Sequence, residues 1–137
     1  MTRKLLFLSL LSFSLMSGSC EKEDLTSLKG TYTGTFIYSF PESSATPQRG
    51  DVTITFNGSN FHCSANPDRI PAGGAGTVTV INDQQVKFED QNMWTADFDW
   101  GLILDGTYAY EVRGDSMFLA KYRDDLKVYE YRLKRNQ

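Results

Sequence analysis

Residues 94–111 read WTADFDWGLILDGTYAYE, and the parsing of this stretch decides the fold. In its second half Leu104, Gly106, Tyr108 and Tyr110 share one phase, which Val112 continues. Residues 102–112 therefore read as a strand, the longest in the chain. The first half shows neither an apolar stripe at helical spacing nor a convincing strand, and reads as an irregular aromatic connection. The period of two recurs on both sides. Upstream, GTYTGTFIYSF (30–40) sets Tyr32, Gly34, Phe36 and Tyr38 on one face and Thr31, Thr33, Thr35 and Ile37 on the other. After the polar loop 41–50, Val52, Ile54 and Phe56 alternate with threonines, Asn57-Gly58-Ser59 turns, and 60–65 returns as a hairpin partner. A Pro/Gly loop (66–74) leads to a pair, 75–81 and 84–89, about Asn82-Asp83. Downstream, 116–122 follows the turn Arg113-Gly114-Asp115, and 127–134 (KVYEYRLK) closes the chain. Short turns join these segments and no amphipathic helix interrupts them. Sheet edges must be paired or covered, and eight strands is the usual number that closes a small barrel. The expectation is an all-β, antiparallel, up-and-down eight-stranded barrel over residues 29–135; a two-sheet β-sandwich fits the same pattern.

The composition agrees. Of 137 residues, 13% are aromatic, with nine Phe and seven Tyr, types that favour a pleated, half-buried surface. The length supports one domain with a real core.

The N-terminus carries addressing rather than fold. Residues 1–19 combine a basic start (Arg3, Lys4), an apolar run from Leu5 to Met16 and small residues Ser17-Gly18-Ser19, as in a secretory signal peptide. The run is shorter than the roughly 20 residues that span a bilayer. Gly18-Ser19-Cys20 resembles a bacterial lipobox, which implies that Cys20 is acylated and becomes the new N-terminus. Residues 20–28 then form a lipidated tether. Within it, Lys22-Glu23-Asp24 is similar to the acidic export signal on surface lipoproteins of Bacteroidota. These features predict an outer-membrane, lipid-anchored, cell-surface protein, joined to the membrane by the acyl chains on Cys20. Removing residues 1–19 leaves 14 − 2 = 12 basic residues against 17 acidic ones, a balance of about −5, which argues against a nucleic-acid partner. With Cys20 lipidated, Cys63 is left without a disulfide partner and, in phase with Phe61, reads as a small buried residue.

From Gly74 onward the chain resembles the small lipocalin-like lipoproteins of Bacteroidota. The residues that carry the resemblance are Gly74-Ala75-Gly76-Thr77, Val86-Lys87-Phe88, residues 94–100 (WTADFDW), residues 102–110 (LILDGTYAY), Gly114-Asp115-Ser116-Met117 and Tyr131-Arg132-Leu133-Lys134. Gly30-Thr31-Tyr32 is similar to the Gly-x-Trp of a lipocalin first strand, with Tyr for Trp. The resemblance implies that a late arginine, Arg132 or Arg123, packs over that ring. It implies a fold and a location and specifies no ligand.

Catalytic signals are weak. His62 is the only histidine and sits on the outward phase of its strand, so a Ser-His-Asp triad or His-based zinc site has little to draw on. No metal motif appears and no cofactor is implied. Glu89, Asp90, Asp97, Asp99 and Asp105 form an acidic group, and the alternation of Asp97 and Asp99 with Ala96, Phe98 and Trp100 reads as one solvated and one apolar face. Arg113-Gly114-Asp115 reads as turn chemistry. The aromatic residues are the better candidates. Trp94, Phe98 and Trp100, with Tyr108 and Tyr110 on the adjoining strand, either plug one end of the barrel or form a lip that binds a ligand. Tyr32, Tyr38, Tyr108 and Tyr110, if inward, require partners for their hydroxyls, which a polar cavity or the barrel mouth would provide. The expected function is a non-enzymatic binding module for a small apolar molecule, a glycan or a protein; the alternative is a structural accessory of an envelope protein complex.

Overall fold

A computed structural model describes residues 28–137; the expected signal peptide, the expected lipidation site Cys20 and the expected export signal Lys22-Glu23-Asp24 lie outside the described residues. Eight strands follow one another around a closed antiparallel barrel, each bonded to its sequence neighbour, with the last bonded to the first. They are β1 (Leu28–Tyr38), β2 (Gln48–Gly58), β3 (Asn60–Cys63), β4 (Gly74–Asn82), β5 (Gln85–Asp90), β6 (Gly106–Arg113), β7 (Ser116–Arg123) and β8 (Leu126–Arg135). Closure comes from β1 against β8, in register from Tyr32 opposite Arg135 to Tyr38 opposite Tyr129. The ring of pairings rules out the two-sheet sandwich. Leu28, the first described residue, already pairs with Gly58.

The period of two does what the sequence requires. Val52, Ile54 and Phe56 of β2, Tyr108 and Tyr110 of β6, Met117 and Leu119 of β7, and Tyr129, Tyr131 and Leu133 of β8 are buried. Aromatic rings fill the interior in a chain of mostly edge-on contacts. Phe61 meets Phe88 at 5.0 Å, Phe88 meets Tyr108 at 5.7 Å, Tyr108 meets Tyr131 at 5.9 Å, and Tyr131 leans on Phe36 at 4.7 Å between centroids. Such contacts suit the ring quadrupole, and they carry packing from β3 across to β1. Here the eight-stranded wall is filled by side chains.

The two ends differ. At one, the turn end, tight turns join β2 to β3, β4 to β5 and β6 to β7, and Leu28 and Arg135 lie there too. At the other, the mouth, only β7 and β8 are joined tightly, through Asp124 and Asp125 at φ 49 and 63. The remaining mouth connections, residues 39–47, 64–73 and 91–105, are long.

One predicted strand is shorter than expected. Residues 102–112 are not a single strand, and β1 and β2, at 11 residues each, are the longest. Gly106, at φ +88, breaks the line, and β6 starts there. Ahead of it, Trp100–Leu102 form a 3-10 turn, and Leu104 N–H donates to the Gly73 carbonyl at 2.9 Å. The apolar run Leu102-Ile103-Leu104 thus turns into the barrel end, where all three are buried beside Ala72.

The arginine over the Tyr32 ring is not one of the two expected. Arg135, rather than Arg132 or Arg123, places its guanidinium 6.0 Å from the centre of the Tyr32 ring and donates to the Lys29 carbonyl at 3.0 Å. Arg132 faces outward and pairs with Glu130 at 2.7 Å. Gly30, at φ +106, lies directly beneath Arg135, where a Cβ would come within 2.9 Å of Nε.

Candidate functional site

Of the five predicted aromatics the mouth gathers Trp94, Phe98 and Trp100, and it gives them different roles. Leu102, Ile103, Leu104 and Ala72 make the plug. Trp94 and Phe98 lie half-buried against that core and meet edge to face at 5.6 Å. Trp100 is 57% exposed. It is held in place all the same, because its indole N–H donates to the Thr95 carbonyl at 3.0 Å and its backbone opens the 3-10 turn. Trp100 therefore breaks the single apolar face that the alternation suggested. Tyr108 and Tyr110 are not at the mouth surface: both are buried in the barrel, 0% and 5% exposed.

The structure adds residues that the sequence did not single out. Arg69, from the connection between β3 and β4, stacks 5.2 Å from the centre of the Phe98 ring and lies 3.7 Å from the Asp97 carboxylate. Asp97 also accepts from the Thr95 hydroxyl; that bond first, and Arg69 after it, lower its pKa. Across the opening, Tyr38 stacks on Tyr129 at 5.0 Å and leans on Phe40 at 4.4 Å. Burial, and then the nearby Asp99 carboxylate, raise the pKa of both phenols, that of Tyr129 to about 12. A groove of about 350 Å³ opens here between Tyr38, Phe40, Glu42, Arg123 and Leu126. Gly101 connects the two sides: a Cβ there would sit 2.0 Å from the Tyr129 hydroxyl oxygen, so only glycine lets the turn seat this low. For Phe40 and Arg123 the strand phase held part of the signal, since they flank Tyr38 and the β7–β8 turn. Arg69 carried none, because its contact is between two loops distant in sequence.

Three of the five acids are structural. Asp90 accepts from Ala75 N–H at 2.8 Å and from the Trp94 indole, and so fixes Trp94 over the end of β4. Asp105 accepts from Asp90 N–H at 2.9 Å, and Asp99 from Gly101 N–H at 2.8 Å. These carboxylates answer backbone donors that the irregular connection leaves without strand partners. Glu89 pairs with Lys87 at 2.9 Å on the outer wall. His62 is exposed on the outer face of β3, between Thr55 and Ala75.

Inside the barrel, the hydroxyls of Tyr108, Tyr110 and Tyr131 have no protein hydrogen-bond partner among the described residues. Burial drives the Tyr108 and Tyr131 phenols far toward the neutral form. Cys63 is buried beside them, and loss of solvent raises its thiol to about 12.

No protein-family model matches this chain, and neither a curated protein nor a solved structure shows significant similarity to it.

Proposed function

We propose that the chain is an outer-membrane lipoprotein, lipid-anchored at the cell surface, and that it is a non-enzymatic binding module whose binding face is the barrel mouth. The observation that carries this reading is Trp100, an exposed indole whose orientation is fixed by its bond to Thr95. It stands on the rim at the end of the barrel opposite Leu28. An exposed ring that is already ordered loses little entropy on binding. Its flat face suits a sugar ring, and Arg69, Asp97 and Thr95 nearby supply donors and acceptors for hydroxyls. A glycan is therefore favoured over a small apolar molecule, because aromatic side chains occupy the interior such a molecule would use. In this reading Trp94, Phe98 and Trp100 form the binding lip and Tyr108 supports it from within, while Tyr110, whose N–H donates to the Gln84 carbonyl in the β4–β5 turn, lies toward the other end.

Acyl chains on Cys20 hold the protein to the membrane, and Lys22-Glu23-Asp24 directs it to the surface, as in the small lipocalin-like lipoproteins of Bacteroidota that the sequence resembles. Asp90, Asp99 and Asp105 are engaged in backbone bonds, Glu89 and Asp97 in side-chain pairs, and His62 stands on the outer wall, which supports a role without catalysis.

Titration of the full chain with a panel of soluble oligosaccharides, followed by tryptophan fluorescence, tests the binding face. At least one sugar is expected to shift the emission, with the response lost in Trp100→Ala and kept in Tyr122→Ala. A flat response to every sugar, or one indifferent to Trp100, removes the glycan reading. For the anchor, Cys20→Ala is expected to abolish palmitate labelling; labelling that persists would refute it.

A second reading, an accessory of an envelope protein complex, draws on a cleft of about 640 Å³ on the outer wall of β6 and β7. Phe118 and Tyr122 line it, and Tyr122 is 52% exposed. Photo-crosslinking from Tyr122 in intact cells would capture that partner.

A further inference from the structure

The barrel wall has one short strand, β3, and it leaves part of β2 without a neighbour. β2 runs from Gln48 to Gly58, but β3 pairs only with Ile54–Asn57. One further contact follows: Thr53 N–H donates to the Ser64 hydroxyl at 2.9 Å, and Ser64 N–H donates to the Thr53 carbonyl at 2.8 Å. Beyond it the chain turns inward. The Asn66 side chain bonds both the N–H and the carbonyl of Ile70, and the Ile70 carbonyl lies so close to Gly50 that a Cβ there would be 1.6 Å away. The connection thus passes over the inner side of Gly50 on its way to the plug.

The direction of the exposed backbone groups follows from the register. In an antiparallel strand a residue's N–H and C=O point to the same side, and the side alternates along the chain. Thr53 points toward β3, and the pairing of β2 with β1 is unbroken from Gln48 to Gly58. Asp51 and Arg49 therefore point to the same side as Thr53, where no backbone partner reaches them among the described residues. Clefts of about 550 and 340 Å³ run along this edge, between Asp51 and the residues Asn66 and Pro67. Pro47 ends the row of donors, since it has no N–H to present there.

We propose that this open edge pairs with the same edge of a second copy of the chain, forming a twofold dimer centred on Gly50. The open window runs from Gln48 to Val52 and its midpoint is Gly50, so antiparallel pairing of two windows places Arg49 opposite Asp51 of the second copy, and Asp51 opposite Arg49. These are the residues whose backbone groups face the edge, so the two pairs exchange four main-chain hydrogen bonds. Arg49 and Asp51 are both exposed on the outer face, where the same register puts opposite charges side by side in both pairs. A shift that centres the axis on Asp51 sets acid against acid and runs into the Thr53–Ser64 contact, and one that centres it on Arg49 sets base against base and puts Asp51 opposite Pro47, which has no N–H to give. The symmetry is closed, so pairing stops at two copies.

The test is sedimentation equilibrium of the full chain in detergent micelles, from micromolar to millimolar concentration, together with residue-resolved amide exchange. The expected result is a weak dimer, with Arg49 and Asp51 amides slowing as concentration rises. Gly50 and Val52, already bonded to β1, stay unchanged. Arg49→Asp puts acid opposite acid and is expected to weaken the dimer at least tenfold; Arg49→Asp with Asp51→Arg restores the complementary pairs and the dimer. These exposed side chains lie outside the core, so the variants keep the fold, and the double variant controls for it. A monomer at every concentration overturns the proposal and makes Pro47 and the two charges a device that blunts the edge. A dimer equally strong in all three proteins, or one that leaves the Arg49 and Asp51 amides fast, also overturns it.

Discussion

Gly30 shows how one missing side chain sets the geometry of its neighbours. Its φ of +106 is outside the range that side-chain-bearing residues adopt readily, and the space its Cβ would take is held by Arg135. Arg135 in turn covers the Tyr32 ring and bonds the Lys29 carbonyl. Gly30→Ala is expected to cost about 1–3 kcal/mol of folding stability, from backbone strain and the displaced guanidinium. Urea unfolding measures it, and a midpoint unchanged from the parent would contradict the account. Arg135 was legible from strand phase, because it continues the inward register of Tyr131 and Leu133, whereas Arg132 falls on the outward phase with Glu130. The acids were less legible. Asp90, Asp99 and Asp105 look like a solvated face in a string of letters, and become caps only when folding brings Ala75, Gly101 and the Asp90 backbone to them.

At the scale of elements, the strands could be read and the mouth could not. Alternation in residues 52–56, 108–112 and 129–133 located β2, β6 and β8, because one face of each is buried and the other is wet. The run Leu102-Ile103-Leu104 has the composition of a strand, and period alone could not separate it from β6. What separates it is Gly106 and the pairing of residues 102–104 with Ala72 and Gly73, a contact between two loops. The connection from β3 to β4 reads as a polar Pro/Gly loop and yet supplies part of the plug. Its shape depends on Asn66, whose amide closes the turn on Ile70 through both of its polar atoms. Asn66→Ala leaves those groups without their partner, at a cost of about 1–3 kcal/mol, and is expected to loosen this connection more than the wall. Trypsin cleavage after the exposed Arg69 should accelerate in the variant while the far-ultraviolet circular dichroism stays that of a barrel. Cleavage at the parental rate would mean that the plug, not Asn66, holds the loop.

For the whole molecule, the buried phenols set a limit on the pH range of the fold. Tyrosine ordinarily ionises near 10; burial, with Asp99 second, raises Tyr129 to about 12, and burial shifts Tyr108 and Tyr131 further still. A group whose folded pKa is raised keeps its proton longer in the fold than in the unfolded chain. Its contribution is whole below the unfolded value of 10 and is lost as pH rises from there through the folded value. Alkali is therefore expected to unfold the barrel cooperatively, with tyrosinate absorbance and loss of circular dichroism moving together. A gradual ionisation of these tyrosines near pH 10 with the barrel intact would count against a closed, aromatic-filled interior. The β1–β8 register carries a separate consequence. Leu28 and Arg135 come to the same end of the wall, and the seam between them is a ladder like the other seven. The strand order is a cycle, and the genetic order of the described domain is one of several ways to cut it. A short linker from Gln137 to Leu28, with new termini opened at Ser44, would keep every ladder while moving the free ends to the mouth. Such a circular permutant, hung from a lipid at its new N-terminus, would turn Trp100 toward the membrane and the tight turns toward the medium.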